Sequence, residues 1–230
     1  MEPRVSQEIV DNIIGNININ EKQNLRRLSL VSRSFLYPSR KRLFAKIALA
    51  HREQSQGLLS VLAQHPYIQS SVRHLEIHYP SSFRCLPWYS EPTKFQPNDE
   101  PTLLSLLRLP LLSLRTLVFD SASYCHWPKL SSDLRDALSD VIHSPSLTSL
   151  ELCRAVRVPI SLFLGLKGVR TLDLYDVHLS DADDDGVSPI ASQAVNEVKT
   201  SAHNGTPIEC FTLRLPQASG LWLCFQLITP

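Results

Sequence analysis

The side chains best spaced for chemistry are a run of acids. Asp181-Ala182-Asp183-Asp184-Asp185-Gly186 reproduces the first half of a calcium-binding EF-hand loop, whose alternate carboxylates and turn glycine wrap the ion. The complete loop needs a bidentate Glu at its twelfth position. Ser192 stands there and Pro189 interrupts the run, so the segment reads as a solvated acidic loop. His74, Glu76 and His78 alternate, which on a strand puts all three on one face and offers nitrogen and oxygen donors to a divalent metal. The polar side of a half-buried strand has the same composition, and that is the reading adopted. Cys125-His126 has no second Cys/His pair at zinc spacing. Arg40-Lys41-Arg42, with Lys46, is the densest basic run and reads as a solvated helix face rather than a nucleic-acid contact or nuclear address. Asn204-Gly205-Thr206 fits a glycosylation sequon but is followed by Pro207. There is no nucleotide-binding loop and no Gly-x-Ser-x-Gly elbow, and nothing in the spacing of Ser, His and Asp assembles a triad. No catalysis, metal or cofactor is expected.

Bulk properties narrow the class of protein. The 230 residues allow a small domain plus a larger one, and at 43% hydrophobic and 20% charged the chain can bury a core. The net charge of +1 excludes a globally basic nucleic-acid binder. It conceals an asymmetry: residues 1–52 carry ten Lys/Arg against four Asp/Glu, and the remainder thirteen against eighteen. Leu occurs 37 times against seven Gly, a bias toward helices or leucine-rich repeats. The five cysteines are scattered without a C-x-x-C pair, as suits a reducing compartment, cytoplasmic or nuclear. The start shows no signal-peptide pattern. The longest apolar stretch, Leu221 to Ile228, is about half a membrane span and contains Gln226, so no membrane partner is expected.

Two textures divide the chain. Residues 1–50 form a helical head. Val5, Ile9, Ile13 and Ile17 recur at four-residue steps and predict an apolar face on a first helix. Asn20 and Gln23 have capping-box spacing for a second helix lined by Leu25, Leu28 and Val31. Pro38 suits the first turn of a third, carrying Leu43 and Phe44. Three helices this short need support from the rest of the chain or from a partner.

Residues 51–230 carry a recurring hexad, apolar-x-x-apolar-x-apolar, centred on Leu75, Leu117, Leu150, Leu172 and Phe211. So Leu-rich a chain produces the bare pattern by chance. These five are marked out by x positions that are almost all polar and by a breaker ahead of each: Pro66, Pro110, Pro145, Gly168 and Pro207. Helical segments run up to several of those breakers, notably residues 57–65, 102–109 and 132–143. A helix, a breaker and a strand make one solenoid unit, which buries its apolar face only against its neighbours. The steps between centres are 42, 33, 22 and 39 residues, longer and less even than a regular array, with insertions near 80–100 and 180–206. After the fifth hexad the chain ends without a polar cap, as a truncated product would.

Val5-Ser6-Gln7-Glu8-Ile9, the Ile13-Ile14 pair and Leu28-Ser29-Leu30-Val31-Ser32-Arg33-Ser34-Phe35 resemble an F-box, with Ser6 and Val5 where that module usually has Pro and Leu. With the hexads, residues 4–215 resemble fungal F-box proteins with degenerate leucine-rich repeats. The resemblance implies an α/β fold, a short helical head followed by an irregular solenoid with a parallel sheet. It also implies a substrate-recognition adaptor of an SCF-type cullin-RING ubiquitin ligase. Val5, Ile9, Ile13, Leu28, Val31 and Phe35 would then meet the Skp linker subunit, unless they only form the head's own core. The alternative is a leucine-rich interaction scaffold with no ligase role. The target protein would lie on the outward side of the strands, where alternation puts Glu76, Val118, Glu151, Asp173 and Thr212 in one column and His74, His78, Asp120, Tyr175 and Arg214 beside it. Its carboxylates suggest a basic target segment.

Overall fold

The expected hexads become neighbouring strands in strict register. A computed structural model describes residues 6–18, 21–50, 52–79, 100–180, 210–215 and 223–228. Strands β1 (Lys46–Leu49), β2 (His74–Tyr79), β3 (Thr116–His126), β4 (Ser149–Pro159), β5 (Thr171–Tyr175), β6 (His178–Ser180), β7 (Cys210–Leu215) and β8 (Leu223–Ile228) form one sheet. Its order is β1-β2-β3-β4-β5-β7-β8, with β6 on β4. Every pairing is parallel except β7 with β8.

Leu75, Leu117, Leu150, Leu172 and Phe211 lie opposite one another across the sheet, and so do Ile77, Phe119, Leu152, Leu174 and Leu213. From β2 to β5 both columns are buried. A sixth member opens the series: Ile47 pairs with Leu75 and Leu49 with Ile77. The sheet therefore begins within the first fifty residues.

Helices α4 (Arg52–Gln64), α5 (Pro66–Gln69), α6 (Glu100–Leu107) and α7 (Ser132–Ile142) lie between the first four strands in the chain. Leu58 and Leu62, Leu103, Leu106 and Leu107, and Leu134, Leu138 and Ile142 share one core with the inward strand columns. Each such side chain contributes about 1.5–3 kcal/mol on burial. Ser131 caps α7 by accepting a hydrogen bond from the Leu134 N–H at 3.3 Å.

Backbone bonds tie unit to unit. The Ala45 carbonyl accepts from the N–H groups of Arg73 and His74, and that of Arg73 from Arg115 and Thr116. The Arg115 carbonyl accepts from Thr148 and Ser149, and that of Thr148 from Arg170 and Thr171. Each acceptor is the second residue of its hexad. Tight turns lead into these positions, with Val72, Leu114 and Leu147 donating to Gln69, Leu111 and Ser144.

The head comprises α1 (Gln7–Asn16), α2 (Lys22–Leu28) and α3 (Arg33–Leu43). It has a core of its own, Val10, Ile14 and Leu25, against which Ile17, Leu28, Phe35 and Leu43 pack. The structure revises three expectations. The buried face of α1 is that of Val10 and Ile14, not that of Ile9 and Ile13. Glu21, rather than Asn20, precedes α2, and its side chain accepts from Asn24 at 2.7 Å. Pro38 sits inside α3, since the helix begins five residues earlier. The helix continues past the missing N–H because tertiary contacts hold its second half. Arg42 gives two hydrogen bonds, at 2.9 and 2.6 Å, to the Ile17 carbonyl that ends α1. Arg40 donates to the Tyr67 hydroxyl at 3.3 Å, and the Tyr37 and Tyr67 rings are 5.8 Å apart, joining α3 to α5. The basic run thus fastens the head to itself and to the sheet layer.

Gly168 marks the tightest approach between units. A Cβ there would lie 2.5 Å from the Pro145 carbonyl oxygen and 2.6 Å from that of Leu147. Gly57, inside α4, has nothing within 4 Å of an added Cβ. Gly168→Ala is expected to destabilise by about 1–3 kcal/mol, lowering Tm by several degrees, and Gly57→Ala to stabilise by about 0.5–1 kcal/mol. Thermal unfolding followed by circular dichroism measures both; a Gly168→Ala protein as stable as the parent would contradict the close packing.

Candidate functional site: the sheet face and the head surface

Alternation along the strands leaves one side of the sheet for residues between the buried columns. Its middle column is Ala48, Glu76, Val118, Glu151, Asp173 and Thr212, paired in that order across β1, β2, β3, β4, β5 and β7. The same register sets His78 beside Asp120, Asp120 beside Cys153, and Tyr175 beside Arg214. For Arg214 the position on β7 is what is described.

The face is less open than an ordinary solvated one. Val118 is only 7% exposed. Glu76 lies 2.9 Å from His78 Nε2 and 3.8 Å from His74 Nε2. His78 Nδ1 is 3.4 Å from Asp120, whose other oxygen accepts from Arg154. The residues expected to share a face do so, and two histidines and an arginine lie against the carboxylates of its β2–β3 part. Burial lowers the pKa of His74, and Lys46 adds to this while Glu76 opposes it.

Arg154 was not foreseen. It follows the hexad centred on Leu150 by two residues and adopts φ 54°, a left-handed conformation that costs a long side chain about 1 kcal/mol. That turn brings its guanidinium onto Asp120 one strand away. Asp176, at the same place after the hexad centred on Leu172, has φ 57°. Its carboxylate accepts from Tyr124, and chiefly this bond pushes the phenol up to about 12. The sequence signal was the equivalence of positions 154 and 176, each followed by a small buried apolar residue, Ala155 or Val177.

On β4 and β5, Glu151 and Asp173 are cross-strand neighbours, and Glu151 has the Cys153 thiol at 3.5 Å. Burial raises the Glu151 pKa; Asp173, Asp120 and Glu76 act in the same direction, and the Cys153 thiol against it. Burial also raises the Cys153 thiol and pushes Cys125 up to about 12, so neither is an activated nucleophile. Among the described residues no group of three His, Cys, Asp or Glu converges as a metal site. The acidic run from Asp181 and the sequon at Asn204 lie outside the described residues.

The head presents an apolar surface. Ile9 is 53% exposed, Ile13 43% and Val31 65%, and Leu30, next to Val31 in the turn between α2 and α3, reaches 85%. N–H donation from Leu30 to Arg27 and from Val31 to Leu28 holds that turn. Leu28 and Phe35 are half-buried and pack on the head core. Val5 lies outside the described residues. Among the described residues no helix is long and apolar enough to cross a membrane. Comparison with known protein families and with curated proteins gives no match.

The raised Glu151 pKa has a stability consequence. A carboxyl held above its ordinary value keeps its proton more readily in the folded chain, so its contribution is favourable at low pH and is lost as pH rises through the folded pKa. Glu151→Gln is expected to melt higher than the parent at neutral pH. The difference should close as pH falls below the ordinary carboxylate range, about 4. Melting curves across that range test this; a gain that persists unchanged into acid would assign it to some cause other than the charge.

Proposed function

We propose that this chain is a substrate-recognition adaptor of an SCF-type cullin-RING ubiquitin ligase. The head docks on the Skp linker, and the rest is an irregular leucine-rich-repeat solenoid that holds a target protein. The observation that carries the reading is the exposure of Ile9, Ile13 and Val31, three of the apolar residues at F-box-like positions, on a head that already has its own core. Apolar side chains left outside a complete core have no structural task in the isolated chain. Buried against a partner, each would contribute about 1.5–3 kcal/mol.

Further support comes from the arrangement of the remainder. Strands that pair in parallel in chain order, with helices threaded between them, are what stacked repeat units produce. The chain supplies binding alone, and ubiquitin transfer belongs to the other ligase subunits.

Position decides which variant tests the docking. Phe35 packs on the head core, so Phe35→Asp would combine lost docking with lost folding. Val31→Asp and Ile13→Asp alter exposed residues and are expected to leave the melting temperature within a few degrees. Affinity capture of the tagged full chain should bring down Skp and cullin, and either substitution should abolish this, because a carboxylate buried in an apolar contact costs several kcal/mol. Undiminished capture by both variants, or none by the parent, would defeat the adaptor reading in favour of a scaffold without a ligase role.

A further inference from the structure

Where α2 ends, the sequence carries a pattern found once in the chain: two arginines, a spacer, a serine and an apolar residue, Arg26-Arg27-Leu28-Ser29-Leu30. The chain turns there. Ser29 is the C-cap of α2, and Leu30 and Val31 lead on toward α3. Arg26, Arg27 and Leu30 are exposed, and the partly exposed Ser29 hydroxyl donates to the Arg26 carbonyl at 2.7 Å. Leu28 is the one of these five residues that packs on the head core. At seven residues α2 is too short to be stable without such packing. Unwinding its last turn into an extended segment therefore sacrifices little beyond one half-buried side chain.

We propose that Ser29 is a phosphorylation site for a basophilic protein kinase, and that the phosphate closes the docking surface of the head. A kinase groove with carboxylates facing the two positions before the spacer pairs with both guanidiniums, and an apolar pocket beyond the acceptor takes Leu30. The Ser29 hydroxyl oxygen attacks the γ-phosphorus of ATP, its proton passes to the catalytic aspartate of the kinase, and ADP leaves. Nearby serines lack the pattern. Ser32 and Ser34 are more exposed but have no arginine two or three residues earlier. Ser55 has Arg52 three residues earlier, but Glu53 follows it and the serine is fully buried. The phosphate carries a charge of about −1.5 to −2. It would stand at the C-terminal end of α2, where the backbone dipole disfavours negative charge, one and two residues from exposed Leu30 and Val31. An apolar partner would have to strip it of water to dock. The docking half of the inference rests on the proposed adaptor role; the assignment of Ser29 as acceptor does not.

The test incubates the purified full chain with ATP, magnesium and the catalytic subunit of cyclic-AMP-dependent protein kinase, and maps phosphate by peptide mass spectrometry. Phosphate is expected on Ser29 and is lost in Ser29→Ala. Arg26→Gln/Arg27→Gln should slow incorporation at least about tenfold. Lys22→Gln/Arg33→Gln removes the same charge from exposed positions nearby and should slow it less than about twofold. Both double variants change exposed residues, so their melting temperatures should stay within a few degrees of the parent. In Skp capture the phosphorylated parent should recover at least about tenfold less Skp than the untreated parent, and kinase-treated Ser29→Ala as much as the untreated parent. No phosphate on Ser29, equal slowing in the two double variants, or undiminished capture by the phosphorylated chain would each overturn the proposal. If the untreated parent captures no Skp, the adaptor reading and the closure of its surface fall together, and the mapping alone decides the acceptor.

Discussion

From β1 to β5, each unit of this chain is locked to the next by a carbonyl that accepts two successive amide hydrogens. The acceptors Ala45, Arg73, Arg115 and Thr148 occupy the same hexad position, so the bond fixes register before any side chain is considered. Register matters because a slip of one residue would send every buried Leu to the solvent side and every Glu or Asp to the core. The two apolar columns, the helices that cover them and the polar face opposite all follow from that alignment. Gly168 shows how tight it is, with the carbonyls of Pro145 and Leu147 occupying the space a side chain would need.

The hexads were legible because each signal they carry is local: two apolar positions at strand period, polar residues between, and a turn residue ahead. Their alignment then placed Glu76, Val118, Glu151, Asp173 and Thr212 in one column, as alternation requires. The first strand escaped notice although Phe44, Ile47 and Leu49 fit the same pattern. It directly follows α3 without a proline or glycine, and Ala45 occupies a position that is polar in the other hexads. The lengths of β3 and β4, eleven residues each, were equally hidden. Those strands continue past a register shift between Asp120 and Cys125 that no local periodicity announces.

In the head, four-residue spacing identified a helix but not which side of it is buried. Ile9 and Ile13 form one stripe and Val10 and Ile14 another, and only packing with α2 and α3 chooses between them. The partnerships on the polar face were out of reach for a similar reason. Glu76 meets His74 and His78 of its own strand, but Asp120 meets a side chain from the next strand through the left-handed turn at Arg154, a residue type that rarely adopts one.

Uneven unit length and an even sheet together make the protein a ruler. Successive hexads are separated by very different numbers of residues, yet the paired strands stay one spacing apart. β1 follows directly on α3, so the sheet is counted off from the head. Glu151 on β4 stands three spacings from β1, about 14 Å, and Asp173 on β5 four, about 19 Å. Lengthening a connection leaves these spans unchanged, and adding a strand extends them by one fixed increment. Residues on β1 and residues on β4 or β5 are thus held at a separation counted in strands.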